Sequence, residues 1–308
     1  MHINLEIVHL QLTRRCNLHC AFCGQKHMES PDALQLSEWL ELLDRIHDYA
    51  PGAVLVLWGG EPLAYPYFRD IVLYAEKLSF PLEVITNGTL ADLHADLLRK
   101  YFRRIYLSVD GPERVHDAIR GKGVFAKIKE NLAFLGRIEG ELVMMSVMTP
   151  ENLDFFESLP FGLPADRVIL HELIYLTEKE CGGLPESFAR EWRRNAVSGY
   201  EEKLTRALSK LQKMKFPVPV EFQPHFQGGF CREPYRHLHV TAGGETFFCT
   251  DFTEDSLGNI REHSLQEIFE GEKAETFRRQ GETLFCSHCS WKNTGETIIQ
   301  LSKRGEKR

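Results

Sequence analysis

Eight cysteines fall at positions 16, 20, 23, 181, 231, 249, 286 and 289. Cys16, Cys20 and Cys23 lie within eight residues as C-x3-C-x2-C. Thiolates this close can wrap a [4Fe–4S] cubane, since cysteine thiolates are its usual ligands. Three ligands for four irons leave one iron open to a small chelating ligand, so such a cluster can be chemically active. The competing reading is zinc. A closed structural zinc site needs four ligands, and His19 or His27 could supply the fourth. The x3/x2 spacing is unusual for zinc and favours the cluster.

A second group follows near the other end. Cys231 and Cys249 have 17 residues between them, Gly244 precedes Cys249 as G-x4-C, and Cys286 and Cys289 form C-x2-C. Four thiolates can fully ligate a second cluster or make an all-cysteine zinc site. A zinc ribbon usually carries two C-x2-C knuckles, and only one pair here has that spacing. Cys181, in Glu180-Cys181-Gly182-Gly183, stands apart from both groups.

The chain gives these thiols a reducing setting. Its 308 residues carry 43% hydrophobic and 26% charged residues and a net charge of −7. That is the composition of an ordinary globular protein, with a charge that argues against a nucleic-acid backbone as partner. No basic stretch followed by an apolar one opens the sequence, and no run of 18 apolar residues occurs. A cytoplasmic protein with neither a membrane nor a nucleic-acid partner is expected. There, clustered cysteines bind metal or do redox chemistry rather than form disulfides.

The elements that must position the thiols are short apolar runs alternating with amphipathic ones. Strands are expected at 7–12, 54–58, 82–86, 105–109, 142–148 and 168–173. Helices are expected at 38–49 (with Ser37 as cap), 66–79, 91–101, 123–136 and 151–158. Six βα units with strands buried on both faces specify a parallel sheet, and right-handed crossovers curl it into a (β/α)6 partial barrel. The first cysteine group follows strand one directly, on the face where active sites of such folds assemble. A charged helix over 187–215 leads to Pro217 and Pro219, placing a boundary between a barrel core of residues 1–216 and a small α+β cluster-binding domain of 217–308. Within the latter, 239–241 and 246–249 flank Gly243-Gly244 as a hairpin, and short helices are expected at 264–269 and 272–280.

The segment Cys16-Asn17-Leu18-His19-Cys20-Ala21-Phe22-Cys23 resembles the cluster-binding loop of the radical S-adenosylmethionine (SAM) superfamily. The resemblance implies a barrel whose [4Fe–4S] cluster is chelated at its open iron by SAM. SAM is then split to methionine and a 5′-deoxyadenosyl radical that takes a hydrogen atom from substrate. Phe22 is expected near the adenine. Gly59-Gly60-Glu61-Pro62 resembles the family's GGE element, which binds the SAM amino group. By the same resemblance Ser108 contacts SAM, Asn87 lies near it, and Arg120 pairs with a carboxylate of SAM or substrate. Residues 231–291 resemble the auxiliary-cluster domain called twitch, a shortened SPASM domain. One auxiliary [4Fe–4S] cluster on Cys231, Cys249, Cys286 and Cys289 is implied.

Substrate is the least legible part. The 108–123 stretch and the number of βα units resemble peptide-modifying maturases, so a ribosomally made peptide is the expected substrate. A small alcohol, aminocyclitol or sugar-like substrate of a radical dehydrogenase is the alternative, and a non-catalytic electron carrier a remote one. With the cluster loop starting at residue 16, either a separate leader-peptide recognition protein or a leaderless mode is expected, along with a reductant such as flavodoxin or ferredoxin. Cys181, just past strand six, is a candidate hydrogen-atom donor.

Overall fold

Strands and helices alternate along the chain because the apolar pattern switches between runs buried on both faces and stripes at helical spacing. In a computed structural model, residues 3–24, 33–176, 178–182, 197–225, 231–249, 256–280 and 299–302 are described. They place β1 (Ile7–Thr13), α1 (Leu36–Tyr49), β2 (Val54–Gly59), α2 (Phe68–Lys77), β3 (Leu82–Thr86), α3 (Ala95–Lys100) and β4 (Phe102–Ser108) in order. Then come α4 (Glu113–Arg120), α5 (Val124–Leu135), β5 (Glu141–Met148), β6 (Arg167–Glu172), the single-turn α6 (Glu178–Cys181), α7 (Tyr200–Leu211) and β7 (Val220–Gln223). The C-terminal part adds β8 (His237–Val240), β9 (Glu245–Phe247), β10 (Gly258–Asn259), α8 (Leu265–Glu270), α9 (Glu272–Gln280) and β11 (Ile299–Ser302).

Among the described residues one sheet runs β10-β9-β8-β1-β2-β3-β4-β5-β6-β7-β11. Strands β1 to β7 are parallel, and each lies beside its successor in sequence. The order never reverses among them, as it would in a doubly wound sheet. Right-handed crossovers therefore put their helices on one side, which curls the sheet into the partial barrel expected. Strand β7 extends it by a seventh parallel strand, although it begins just past the Pro217–Pro219 break. Strand β8 then returns to the far edge of β1, also in parallel, and β9 and β10 follow antiparallel.

The two faces of the sheet differ. Val8, Leu10, Leu12, Leu55, Leu57, Val84 and Leu107 point to the helices and join Trp39, Leu42, Leu43, Ile46, Phe68 and Ile128 in the main core. Tyr106, Val143, Met145 and Ile169 form a separate small cluster on the inner face. Below it a belt of ion pairs crosses the strands. Arg104 meets Glu83 at 3.1 Å and Glu141 at 2.8 Å, and Arg167 meets Glu141 at 3.0 Å and Glu221 at 3.4 Å.

Local signals explain the differences from sequence expectation. Helix α1 starts earlier than a Ser37 cap would allow, because the Glu38 carboxylate returns to the Gln35 backbone N–H at 2.7 Å, as in a capping box. Its buried stripe is Trp39, Leu42, Leu43 and Ile46. The expected 151–158 helix is only a turn followed by a 3-10 turn at Phe156–Ser158. Of the expected 187–215 helix, residues 187–196 lie outside the described residues, and α7 covers 200–211.

The C-terminal part is fastened to α1. Arg45 donates to the Ile260 carbonyl at 2.6 Å, Arg261 meets Glu38 at 2.5 Å, and Leu34 N–H donates to the Ala242 carbonyl at 2.7 Å. Among the described residues no helix is long and apolar enough to cross a membrane.

Candidate functional site

The first cysteine loop leaves the C-terminal end of β1 and is laid across the end of β2. The Gly60 N–H donates to the Thr13 carbonyl at 2.8 Å, and the Glu61 N–H to the Arg15 carbonyl at 3.0 Å. A Cβ on Gly59 would stand 2.2 Å from the Thr13 carbonyl oxygen, and one on Gly60 2.2 Å from that of Arg15. Gly59 also holds φ at +145°, where side chains are disfavoured. The glycines thus admit the loop's own backbone.

N–H donors surround the sulfurs. Leu18 N–H points to Cys16 Sγ at 3.4 Å, and the Asn87 amide reaches the same sulfur at 3.9 Å. An Arg120 guanidinium nitrogen lies 4.0 Å from Cys20 Sγ. Cys23 N–H turns back to the Cys20 carbonyl at 3.3 Å, and Ala21 N–H donates to the Ile119 carbonyl of α4 at 2.9 Å. Burial pushes the Cys20 thiol up to about 11 and raises Cys16 too, with Arg120 opposing the shift at Cys20. Cys16 and Cys20 therefore stay protonated until a cluster binds, so loading it releases protons. Three thiols on one loop, two of them flanked by N–H donors and one of these beside a buried cation, fit a thiolate-ligated cluster, whose potential such donors tune.

Asn87 is tied to this loop through a polar triangle. Its amide donates to Asn17 Oδ1 at 2.9 Å, the Asn17 amide donates to Thr89 Oγ1 at 2.8 Å, and the Thr89 hydroxyl donates to Asn87 Oδ1 at 2.6 Å. Behind it Glu61, fully buried, accepts from Leu63 N–H at 3.0 Å, Thr86 Oγ1 at 2.7 Å and Asn87 N–H at 2.8 Å. Glu61 therefore fastens the ends of β2 and β3 together.

Burial pushes the Glu61 carboxyl up to about 7 against the pull of those donors. Between its ordinary value and about 7 the folded chain binds the extra proton, so stability falls as pH rises through that window. In cluster-free protein, the unfolding free energy of wild type measured against Glu61→Gln is expected to drop by up to about 3 kcal/mol between pH 4.5 and 7.5. Parallel pH profiles in urea titrations would refute it.

The residue that organises the other side of the loop is Asp110, at the end of β4. One carboxylate oxygen accepts from Val147 N–H at 2.9 Å, and the other meets Arg120 Nε at 2.5 Å. Its N–H donates to His116 Nδ1 at 3.1 Å, and its carbonyl accepts from the Asn152 amide at 2.9 Å. Burial pushes His116 down to about 4, keeping it neutral as an acceptor. The carboxylate that meets Arg120 is thus Asp110, within the protein. The guanidinium also lies over Phe22, 5.6 Å from the ring centroid. In sequence Asp110 marks only the turn after strand four, and nothing assigns a role to Asn17, Thr89 or Asn152; the one hint was polar side chains recurring at successive strand ends.

The remaining candidates are spread more widely. Ser108 is half-buried at the end of β4, opposite Met145. Cys181 is 3% exposed at the end of α6. Cys231 and Cys249 are half-buried, two residues before the Glu233–Tyr235 turn and two after β9. Cys286 and Cys289 lie outside the described residues.

Residues 10–159 match the family model described as Radical SAM superfamily, and residues 231–290 match the SPASM model, an iron-sulfur cluster-binding domain. The chain is 25% identical to the tungsten-containing aldehyde ferredoxin oxidoreductase cofactor-modifying protein of Pyrococcus furiosus, over 89% of this chain and 83% of that protein. It is also 25% identical to a serine-type anaerobic sulfatase-maturating enzyme of Bacteroides thetaiotaomicron, over 90% of this chain and 78% of that enzyme. The structure of Streptococcus suis SuiB bound to precursor peptide SuiA aligns with a TM-score of 0.65 at 14% identity, covering 89% of this chain and 67% of that one. At that identity the likeness concerns the fold.

Proposed function

From its place in the radical SAM superfamily, as an enzyme with a C-terminal SPASM iron–sulfur cluster-binding domain, we propose that this chain cleaves SAM reductively and abstracts a hydrogen atom from a polypeptide substrate. The observation that carries the first half is the cysteine loop clamped onto the Gly59–Glu61 turn, with N–H donors at Cys16 and Cys20. A bound [4Fe–4S] cluster with SAM on its open iron supplies the electron that splits SAM to methionine and a hydrogen-abstracting 5′-deoxyadenosyl group.

Each side chain then has a part. Cys16, Cys20 and Cys23 hold the cluster. The Gly59–Glu61 turn receives the SAM amino group, and Glu61 keeps that turn in place through Leu63, Thr86 and Asn87. Asn87 and Ser108 line the approach to SAM from β3 and β4, and Phe22 offers its ring to the adenine. Arg120 is a positioning residue that seats the loop on α4 and balances thiolate charge. Cys231 and Cys249, with Cys286 and Cys289, would hold the auxiliary cluster, which would supply a one-electron acceptor near the substrate. Cys181 is the candidate hydrogen-atom donor.

The polypeptide substrate is supported by the sulfatase-maturating relative, which aligns over nearly the whole chain. A flavodoxin or ferredoxin would deliver the electron, and a separate recognition protein would present the peptide's leader.

The test is anaerobic reconstitution followed by dithionite and SAM. About eight irons per chain are expected, with 5′-deoxyadenosine formed by wild type and none by Cys20→Ala. Iron-loaded wild type that forms no 5′-deoxyadenosine would sink the reading. For the substrate, deuterium from a labelled peptide should appear in 5′-deoxyadenosine; deuterium arriving only from a labelled small alcohol would replace peptide by alcohol.

A further inference from the structure

We propose that His9, His237 and His239 form a mononuclear site for a divalent transition ion of the zinc class, separate from both cysteine groups. The site stands where β8, the first strand of the C-terminal part, joins β1. The parallel register sets Ile7 opposite His237 and His9 opposite His239. Side chains alternate along a strand, so all three imidazoles project from one face. The other face carries Val8, Leu10, Leu238 and Val240, all fully buried.

The rings converge. His9 stacks on His239 at a centroid distance of 4.2 Å and lies 5.5 Å from His237. One ligand atom from each comes within 4.8 Å of the others, and among the described residues no other trio of metal-ligating side chains does so. A tetrahedral zinc with bonds of about 2.0–2.1 Å sets its ligand nitrogens about 3.3–3.4 Å apart, so the rings must turn about their side-chain torsions to close on it.

Two further features suit an ion. His239 is 7% exposed, and its Nδ1 has no hydrogen-bond partner. His237 gives its Nδ1 to the Glu233 carboxylate, leaving Nε2 to ligate. A carboxylate behind a ligating histidine is the usual outer partner of zinc sites.

Among the described residues three imidazoles make up the ligand set, which leaves a position open there, as in zinc sites that bind water or substrate. Along β1, His9 lies four residues before Thr13, about 13 Å from the start of the cysteine loop. The ion would pin the cluster-binding C-terminal part to the first barrel strand.

The test uses iron-loaded protein, so that the cluster cysteines cannot take up zinc. Dialysed anaerobically against zinc and then buffer, wild type should keep one zinc per chain by mass spectrometry alongside unchanged iron. Cobalt should give the visible bands of a nitrogen-ligated tetrahedral ion. His239→Ala should lose the zinc. Should that variant fail to fold or hold iron, His9→Gln and His237→Gln provide the same reading. Glu233→Gln should weaken cobalt binding about 10–100-fold while leaving iron in place. Wild type that keeps no zinc, or histidine variants that keep it as wild type does, would overturn the site. Neither outcome touches SAM cleavage, which is measured separately.

Discussion

Gly60→Ala protein is expected to fold, to lose most of the iron of its N-terminal cluster, and to form 5′-deoxyadenosine at least about a hundredfold more slowly than wild type. The cause is steric and involves backbone alone. The added Cβ would lie 2.2 Å from the Arg15 carbonyl oxygen, 2.5 Å from its carbon and 2.7 Å from the Arg14 oxygen. A side chain could swing away, but here the obstacle is the cysteine loop itself. The loop is pinned on both sides of the contact, by Gly60 N–H to the Thr13 carbonyl and Glu61 N–H to the Arg15 carbonyl. It must lift by about an ångström, and Cys16 follows Arg15 directly. Misplacement of that size in a reacting site costs about a hundredfold in rate. Gly52→Ala is the control, since nothing stands within 4 Å of a Cβ there. Iron content and turnover should be unchanged by it. Wild-type iron content in Gly60→Ala would show that the glycine serves something other than the loop.

That glycine pair shows where sequence reading stops. Cys16, Cys20 and Cys23 were legible because ligand spacing is local, and the βα series because hydrophobic period is local. The partner of Gly60 is 45 residues away in sequence, and nothing in a Gly-Gly-Glu string says whether a ligand or the chain itself fills the space. Strand β8 is a sharper case. It reads as half of a hairpin, yet its other edge pairs with β1 some 230 residues earlier, and only that pairing brings His9 to His239. The ion-pair belt of Glu83, Arg104, Glu141, Arg167 and Glu221 was hidden for a related reason. Nothing local says which charged residues on separate strands will meet, and here they cover the inner face of a curled sheet. Asp110 shows in sequence only as part of a turn, because Asp-Gly-Pro is a turn signal in its own right. Its second task, receiving Arg120, depends on α4 folding back over the cysteine loop.

Asp110→Asn is expected to destabilise the cluster-free protein by about 3–5 kcal/mol, the cost of leaving one member of a buried pair alone. The Asp110 side chain is fully buried and that of Arg120 is 10% exposed. Burial works against the Arg120 charge, and Asp110 together with Cys20 and Cys23 more than offsets it, so that the guanidinium holds its proton more tightly than usual. Asparagine keeps the shape and can still accept from Val147 N–H, but it brings no charge to Arg120. The cost is a large share of a typical folding free energy of about 5–15 kcal/mol, so a shift in the urea midpoint should be plain. Cluster loading should reduce the loss, because the thiolate at Cys20 then places negative charge near the same guanidinium, 4.0 Å away in the cluster-free geometry. The double variant Asp110→Asn with Arg120→Met should recover part of the stability, since removing both charges leaves nothing uncompensated. It should not recover cluster binding, because the seat of the loop on α4 goes with the arginine. A single-variant cost under about 1 kcal/mol, the range of an exposed pair, would mean that water reaches Arg120 and that Asp110 does not organise this side of the site.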